Sequence, residues 1–397
     1  MKWPIIILSC ILGLFAIVYF GRQAYGKEEA KAFIISLLDK ADIKIDGSRP
    51  WDITVHNPGL YQRILKEGSL GLGESYMDGW WDCQALDQFF YRVFRADLDT
   101  YMSKNWYELY RACMLKLFNY QTRKGSLEVG KQHYDLSNEF FKAMLDSRMI
   151  YSCAYWKNAT TLDEAQEHKL DLICRKLQLK KGMTLLDIGC GWGGLALYAA
   201  EKYGVEVTGI TISQEQYEYA QAHKGTLPVT FLLQDYRDCT ITFDRVVSVG
   251  MFEHVGTKNY DTYMGMVCSC LKDDGIALIH TIGSNVTAYT PDPWINKYIF
   301  PNSILPSLVQ ITRAVEGRFI IEDIHNFGAD YDKTLMAWYA NFIRSWPTFE
   351  AQYGERFYRM WSYYLLSCAG LFRARGIQLW QVVLSKEGLP GGYESLR

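Results

Sequence analysis

The chain has almost no net charge. Its 42 Lys and Arg against 44 Asp and Glu leave −2 at pH 7, so no broad basic field exists to hold nucleic acid. Its ten cysteines include no C-x-x-C pair, which argues against a zinc site and for reduced thiols in a cytoplasmic setting. Internal repeats and low-complexity tracts are missing too. What is present is ordinary globular usage, 49% hydrophobic and 22% charged over 397 residues. That supplies ample core material and enough length for two domains.

Residues 184–194, TLLDIGCGWGG, organise the rest. Leu185, Leu186 and Ile188 form a short apolar run bounded by Gly182 and Gly189, the signal of a buried strand. Asp187 stands at its carboxyl end. Gly189, Gly191, Gly193 and Gly194 follow, and residues 195–203 read as a helix closed by Gly204. Strand, glycine turn and helix make a cofactor cradle, with glycines where a Cβ would keep a ligand off the backbone. No Lys-Ser/Thr pair follows, so this is not a P-loop. The second strand, 205–212, ends without the carboxylate a dinucleotide site wants. A carboxylate appears after the third strand, at Asp235. One acid in the first turn and another after the third strand suit a cationic adenosyl ligand, S-adenosylmethionine. A structural glycine turn in an unrelated α/β domain meets the same pattern.

Further strands are expected at 244–249, 276–281, 319–324 and 377–384, with helices between, giving a doubly wound α/β domain. Residues 3–20 (WPIIILSCILGLFAIVYF) are apolar throughout, and their length is the lower edge of a membrane-spanning helix. An uncleaved anchor over 1–22 is the expectation; a signal peptide cleaved near Ala24-Tyr25-Gly26 is the rival. Basic residues after the span put its carboxyl side in the cytoplasm. A small domain is expected over 23–120, a linker over 121–132 and the cofactor domain over 133–397. The glycine- and tryptophan-rich stretch 68–81 reads either as a lipid- or domain-facing surface or as a tight turn with buried aromatics. The polar residues of 133–141 (HYDLSNEFF) read as helix-start chemistry, or as a place where His133 or Tyr134 closes over the cofactor. The aromatic insertion 292–301 reads as the wall of an acyl channel, or as a lid packed for stability.

Six motifs occur in order: YSCAYW at 151–156, LDIGCGWGG, QDYRD at 234–238, GMFEHVG at 250–256, HTIG at 280–283 and HNFGADY at 325–331. With them the chain resembles the cyclopropane-fatty-acyl-phospholipid synthases from about residue 42 to residue 383. The resemblance implies a class I methyltransferase (Rossmann-like) domain behind a small, mainly helical domain that engages the bilayer. It implies transfer of a methylene group from S-adenosylmethionine to the double bond of an unsaturated phospholipid acyl chain, and a homodimer. It also implies a bound bicarbonate as base, held by Cys153, Glu253, His280, Ile282 and Tyr331, with Cys368 carried over in a less defined role. Tyr151 and Ser152 would lie near the methionine end of the cofactor. Asp187, Gly189, Gly191 and Gly193 would form the cradle, Thr211 and Gln216 reach the ribose, and Asp235 and Tyr236 the adenine.

The chemistry sets its own demands. A methyl on a positive sulfur can be taken by a weak nucleophile held in line, even an isolated alkene. The carbocation that results needs an apolar site, aromatic faces and a base. Tyr155, Trp156, Phe252 and Tyr331 are the candidate faces. Three other readings stand beside this one: a methyltransferase acting on a small amine, one that methylates the alkene without closing a ring, and a lipid-binding protein on an inactive methyltransferase fold.

Overall fold

The computed structural model describes residues 26–98 and 136–397. The apolar stretch 3–20, the helix expected over 107–118, the linker 121–132, and His133 and Tyr134 lie outside those residues. Among the described residues no helix is long and apolar enough to cross a membrane. The chain divides into two compact units.

The first unit takes residues 26–98 together with Asp292–Ile299 and Glu350–Ala374. It begins with α1 (Lys27–Lys40), whose buried Ala30, Ile34, Leu37 and Leu38 follow the helical period. Then come β1 (Ile53–Val55), α2 (Leu60–Glu67), α3 (Ser69–Met77), β2 (Trp81–Cys83) and α4 (Leu86–Arg95). β1 and β2 form an antiparallel ribbon. The stretch 68–81 is mostly helix, not a turn. Its glycines serve close packing: a Cβ on Gly71 would meet the Arg63 carbonyl at 2.5 Å, and one on Gly73 would meet Trp294 at 2.4 Å. Trp81 is fully buried and donates its indole N–H to the Leu72 carbonyl. Trp294 belongs to α10 (Pro293–Tyr298) and also packs on Tyr363, with ring centroids 4.5 Å apart. The insertion at 292–299 is therefore counted with the first unit, not with the cofactor-binding part of the chain. No local sequence pattern reports a packing partner that distant.

The second unit holds a seven-stranded sheet. Its strands are β3 (Thr184–Ile188), β4 (Glu206–Thr211), β5 (Val229–Leu233), β6 (Phe243–Val249), β7 (Leu271–Ser284), β8 (Ile320–Asn326) and β9 (Ile377–Ser385), in the order β5-β4-β3-β6-β7-β9-β8. The first five run parallel, and β9 is inserted antiparallel between β7 and β8. The sheet is thus mixed, where the alternating pattern suggests a parallel one. The helices are α5 (Asn138–Met144), α6 (Leu162–Lys176), α7 (Gly194–Tyr203), α8 (Gln214–His223), α9 (Tyr260–Ser269), α11 (Leu308–Val315) and the first part of α12 (Ala329–Arg373), which breaks its helical geometry at Gly354. Strand order reverses at β3, with β4 on one side and β6 on the other. In such sheets ligands bind at this switch point, outside the carboxyl ends of β3 and β6.

Candidate active site

The cradle is the turn from β3 into α7. Gly189 and Cys190 donate their amides to the Ile210 carbonyl, at 2.9 and 3.0 Å, so the turn is tied to the end of β4. Gly189, Gly191 and Gly193 all have positive φ, where side chains cost energy. Their surroundings differ. A Cβ on Gly193 would strike Phe231 at 2.6 Å and one on Gly189 would meet Met251 at 2.9 Å, whereas one on Gly191 would enter open space. Asp187, at the end of β3, is fully buried, and its Oδ2 has no hydrogen-bond partner. Burial pushes its carboxyl up to about 7, against the pull of Lys169. An unpartnered buried carboxylate oxygen beside an open glycine fits a cationic ligand. Thr211 and Gln216 meet at 3.1 Å at the start of α8, whose first turn is capped by Ser213. Asp235 accepts from the Arg237 amide at 2.9 Å and its guanidinium at 3.0 Å. Tyr236 lies in the core with its ring against Tyr263.

Beyond the cradle, Tyr151 rests on Trp338, centroids 5.2 Å apart. Ser152 Oγ accepts from the buried Lys169 at 2.9 Å. Cys153 is fully buried, which drives its thiol well above the ordinary range. The next residues tie this segment to the start of α12. Ala154 N–H and the Trp156 indole both donate to Thr334 Oγ1, at 3.1 and 3.0 Å, and Trp156 N–H donates to Asp330 at 2.9 Å. This brings YSCAYW against GADY, and so Cys153 into the neighbourhood of Tyr331.

Glu253 lies in a short helical turn just past β6, and His280 lies within β7, toward its carboxyl end. Glu253 Oε1 accepts the Ile282 amide at 2.6 Å, while Oε2 has no partner. Gly250 N–H donates to the His280 carbonyl at 2.9 Å, which binds the two strand ends together. His280 is buried, and its Nδ1 meets the Gln381 amide at 3.3 Å across the β7–β9 pair. Its Nε2 has no partner. Burial, with Lys169, Lys176 and His325 adding to it, holds His280 neutral. The His280 ring also faces Phe327 at 5.8 Å, as does Tyr155 at 5.3 Å.

Two of the expected placements change. Phe252 is stacked on Tyr260, centroids 4.3 Å apart, deep in the core, so its face is not open to a substrate. Cys368 falls in the first unit, with Asp292 and Ser367 nearby, and burial pushes its thiol up to about 12. Residues that the motifs did not single out take part instead: Lys169 and Gln166 under the YSC segment, Thr334 above it, and Gln381 behind His280. Spacing is the only signal for the first two, which share one face of α6.

Burial also pushes Glu253 up to about 7 from 4.5. Below about pH 4.5 the folded and unfolded chains both carry this proton. As pH rises toward 7 only the unfolded chain releases it, so stability falls, by about 3 kcal/mol in total for a group this buried. Glu253→Gln should therefore melt at higher temperature than the parent at pH 8 and at about the same temperature at pH 4. Scanning calorimetry at the two pH values tests this, and an unchanged or lowered melting point at pH 8 would contradict it.

The family described as mycolic acid cyclopropane synthetase matches residues 121–382. The cyclopropane-fatty-acyl-phospholipid synthase of Escherichia coli (strain K12) is 58% identical over 361 residues, covering 91% of this chain and 94% of that protein. The crystal structure of mycolic acid cyclopropane synthase CmaA1 complexed with SAH and CTAB superposes with a TM-score of 0.61 at 34% identity, covering 66% of this chain and 98% of the other. Coclaurine N-methyltransferase, bound to N-methylheliamine and SAH, gives a TM-score of 0.67 at 25% identity over 79% of this chain and 99% of its own. The second unit thus has the class I methyltransferase fold, and the chain belongs to the mycolic acid cyclopropane synthetase family.

Proposed function

We propose that this chain transfers a methylene group from S-adenosylmethionine to the double bond of an unsaturated phospholipid acyl chain and closes a cyclopropane ring. The observation that carries this reading is the pair of buried, unpartnered atoms past the cradle, Glu253 Oε2 and His280 Nε2. An amine substrate would use it only to free a nitrogen lone pair before transfer, not to take a proton from carbon. Ring closure does need it, because a proton must leave the transferred carbon.

The cofactor supplies an electrophilic methyl group on a positive sulfur. Asp187 and the Gly191 face would hold its amino-acid end and backbone side, with Tyr151 and Ser152 nearby. Thr211 and Gln216 would meet the ribose, and Asp235 and Tyr236 the adenine. Tyr155 and Tyr331 offer aromatic faces to positive charge on the acyl chain. Glu253, His280, Ile282, Cys153 and Tyr331 would hold bicarbonate, which when bound would supply the base for the proton that leaves the new methyl group. With Glu253 pushed up to about 7 and His280 held neutral, the pocket adds little fixed charge of its own against a bound anion. Cys368 is carried over on the resemblance alone, without a defined role, as is a homodimer, which light scattering would test; the aromatic segment 292–301 would wall the acyl channel.

The apolar stretch 3–20 supports a single-pass anchor with the second unit on the cytoplasmic side. Deleting residues 1–22 should release the protein from sedimented membranes while sparing turnover on detergent-dispersed lipid. A full-length protein that stays in the supernatant would contradict the anchor, and a mature chain starting near Lys27 would favour the signal peptide. The function itself is tested by extracting lipids from cells that express the chain. Gain of one CH2 with loss of the alkene signal supports ring closure; a gain with the alkene kept would overturn it.

A further inference from the structure

A fully buried lysine is rare unless it is paired. Lys169, on α6, is 1% exposed, and no carboxylate among the described residues lies within ion-pair distance of it. Its hydrogen-bond partner is Ser152 Oγ, at 2.9 Å. The backbone around Ser152 is already held by others. Gln166 Nε2 donates to the Ser152 carbonyl at 2.9 Å, and the Asp146 carboxylate accepts the amides of Arg148 and Ile150, each at 2.9 Å. Lys169 is therefore not needed to fix the chain there.

What it fixes is the direction of a hydroxyl. An ammonium group has three donors and no acceptor. Ser152 Oγ must accept from it, and the hydroxyl proton must point elsewhere. No protein atom among the described residues receives that proton. We propose that Lys169 is a positioning residue for the cofactor, turning the Ser152 hydroxyl outward as a donor to the carboxylate of the cofactor's amino-acid end. This rests on the placement of Ser152 at that end of S-adenosylmethionine. Asp187, whose Oδ2 also lacks a partner, would answer the neighbouring ammonium of the same ligand. One positive and one negative buried group would then read the two charges of an amino acid.

The charged and titratable groups facing Lys169 are Asp146, Cys153, Asp187 and His280. Burial brings Lys169 down to about 8. Above that pH its amine gains a lone pair that can accept the Ser152 proton, and the donor turns away from the ligand. Affinity for a ligand with the carboxylate should thus fall as pH rises through about 8.

The test is calorimetry on the full chain with two probes, S-adenosylhomocysteine and methylthioadenosine, the second lacking the amino-acid end. Lys169→Met and Ser152→Ala should each weaken S-adenosylhomocysteine about tenfold or more, the size expected for one hydrogen bond to a charged group. The double variant should be no weaker than either single one, and methylthioadenosine should bind all four proteins alike. The fall in affinity above pH 8 should vanish in Ser152→Ala, a readout that survives even if Lys169→Met does not fold. If Lys169→Met weakens both probes equally, or neither, while Ser152→Ala discriminates between them, the positioning role is wrong. If Ser152→Ala itself binds both probes normally, the placement of Ser152 is wrong and the inference goes with it.

Discussion

Glu253→Ala should lower turnover about 100-fold or more, the loss expected when positioned proton-transfer chemistry is removed. Affinity for S-adenosylhomocysteine should hardly change, because Glu253 sits past the cradle at the end of β6. The variant should fold. Its loss leaves the Ile282 amide without an acceptor, a cost of about 1–3 kcal/mol. The same change removes an acid whose burial is itself unfavourable at neutral pH. Added bicarbonate separates two roles. If Glu253 only holds the ion, high bicarbonate should partly restore turnover. If Glu253 is itself the base, it should restore nothing. Tyr331→Phe should lose less than Glu253→Ala, since one hydroxyl goes and the aromatic face stays. A Glu253→Ala enzyme near parental rate, with a parent that runs at full rate when stripped of bicarbonate, would remove this pocket from the mechanism. His325 and Cys368 would then be tested next, although His325 Nδ1 already accepts from the buried Lys176 at 3.1 Å.

The second large effect belongs to Gly191. Gly191→Val should weaken S-adenosylhomocysteine binding at least about 100-fold while the fold survives. The added methyls would stand in the space the ligand needs, since no protein atom lies within 4 Å of that Cβ position. The φ of +55° also strains any β-branched residue, at a cost of order 1–2 kcal/mol. Gly182→Val separates the two effects. Gly182 has φ of +86° and equally open surroundings, but it precedes β3 at the opposite end of that strand. It should suffer similar strain and keep its cofactor. Normal affinity in a folded Gly191→Val protein would overturn the cradle assignment, and equal loss in Gly182→Val would show that strain alone accounts for the effect.

The parts of this site that are legible in sequence are those carried by local signals. Leu185 to Gly204 spells strand, turn and helix through apolar run, glycines and cap, and the structure has those elements within a residue or so. The helix caps at Thr161 and Ser213 are equally local. Glu253 and His280 share the carboxyl side of the sheet because β6 and β7 are neighbouring parallel strands. Other features depend on distant partners. The 68–81 stretch has the composition of a turn, yet Gly71 and Gly73 are small because Arg63 and Trp294 press on them. The direction of β9 is invisible in its own alternation, since antiparallel and parallel strands bury the same residues. Phe252 looks like a site aromatic next to a charged neighbour, and only packing shows it turned into the core. Lys169 reads as a solvated lysine on a charged helix until Ser152 is found above it.

The central claim is that the transferred carbon loses a proton to this pocket and closes a ring. It is tested most directly with S-adenosylmethionine deuterated in its methyl group, the purified chain and vesicles of unsaturated phospholipid, with the product read by mass spectrometry and NMR. Ring closure predicts acyl chains that gain CD2, lose the alkene resonances and show cyclopropane ones. Acyl chains that retain all three deuterons, or that keep their alkene, would contradict it.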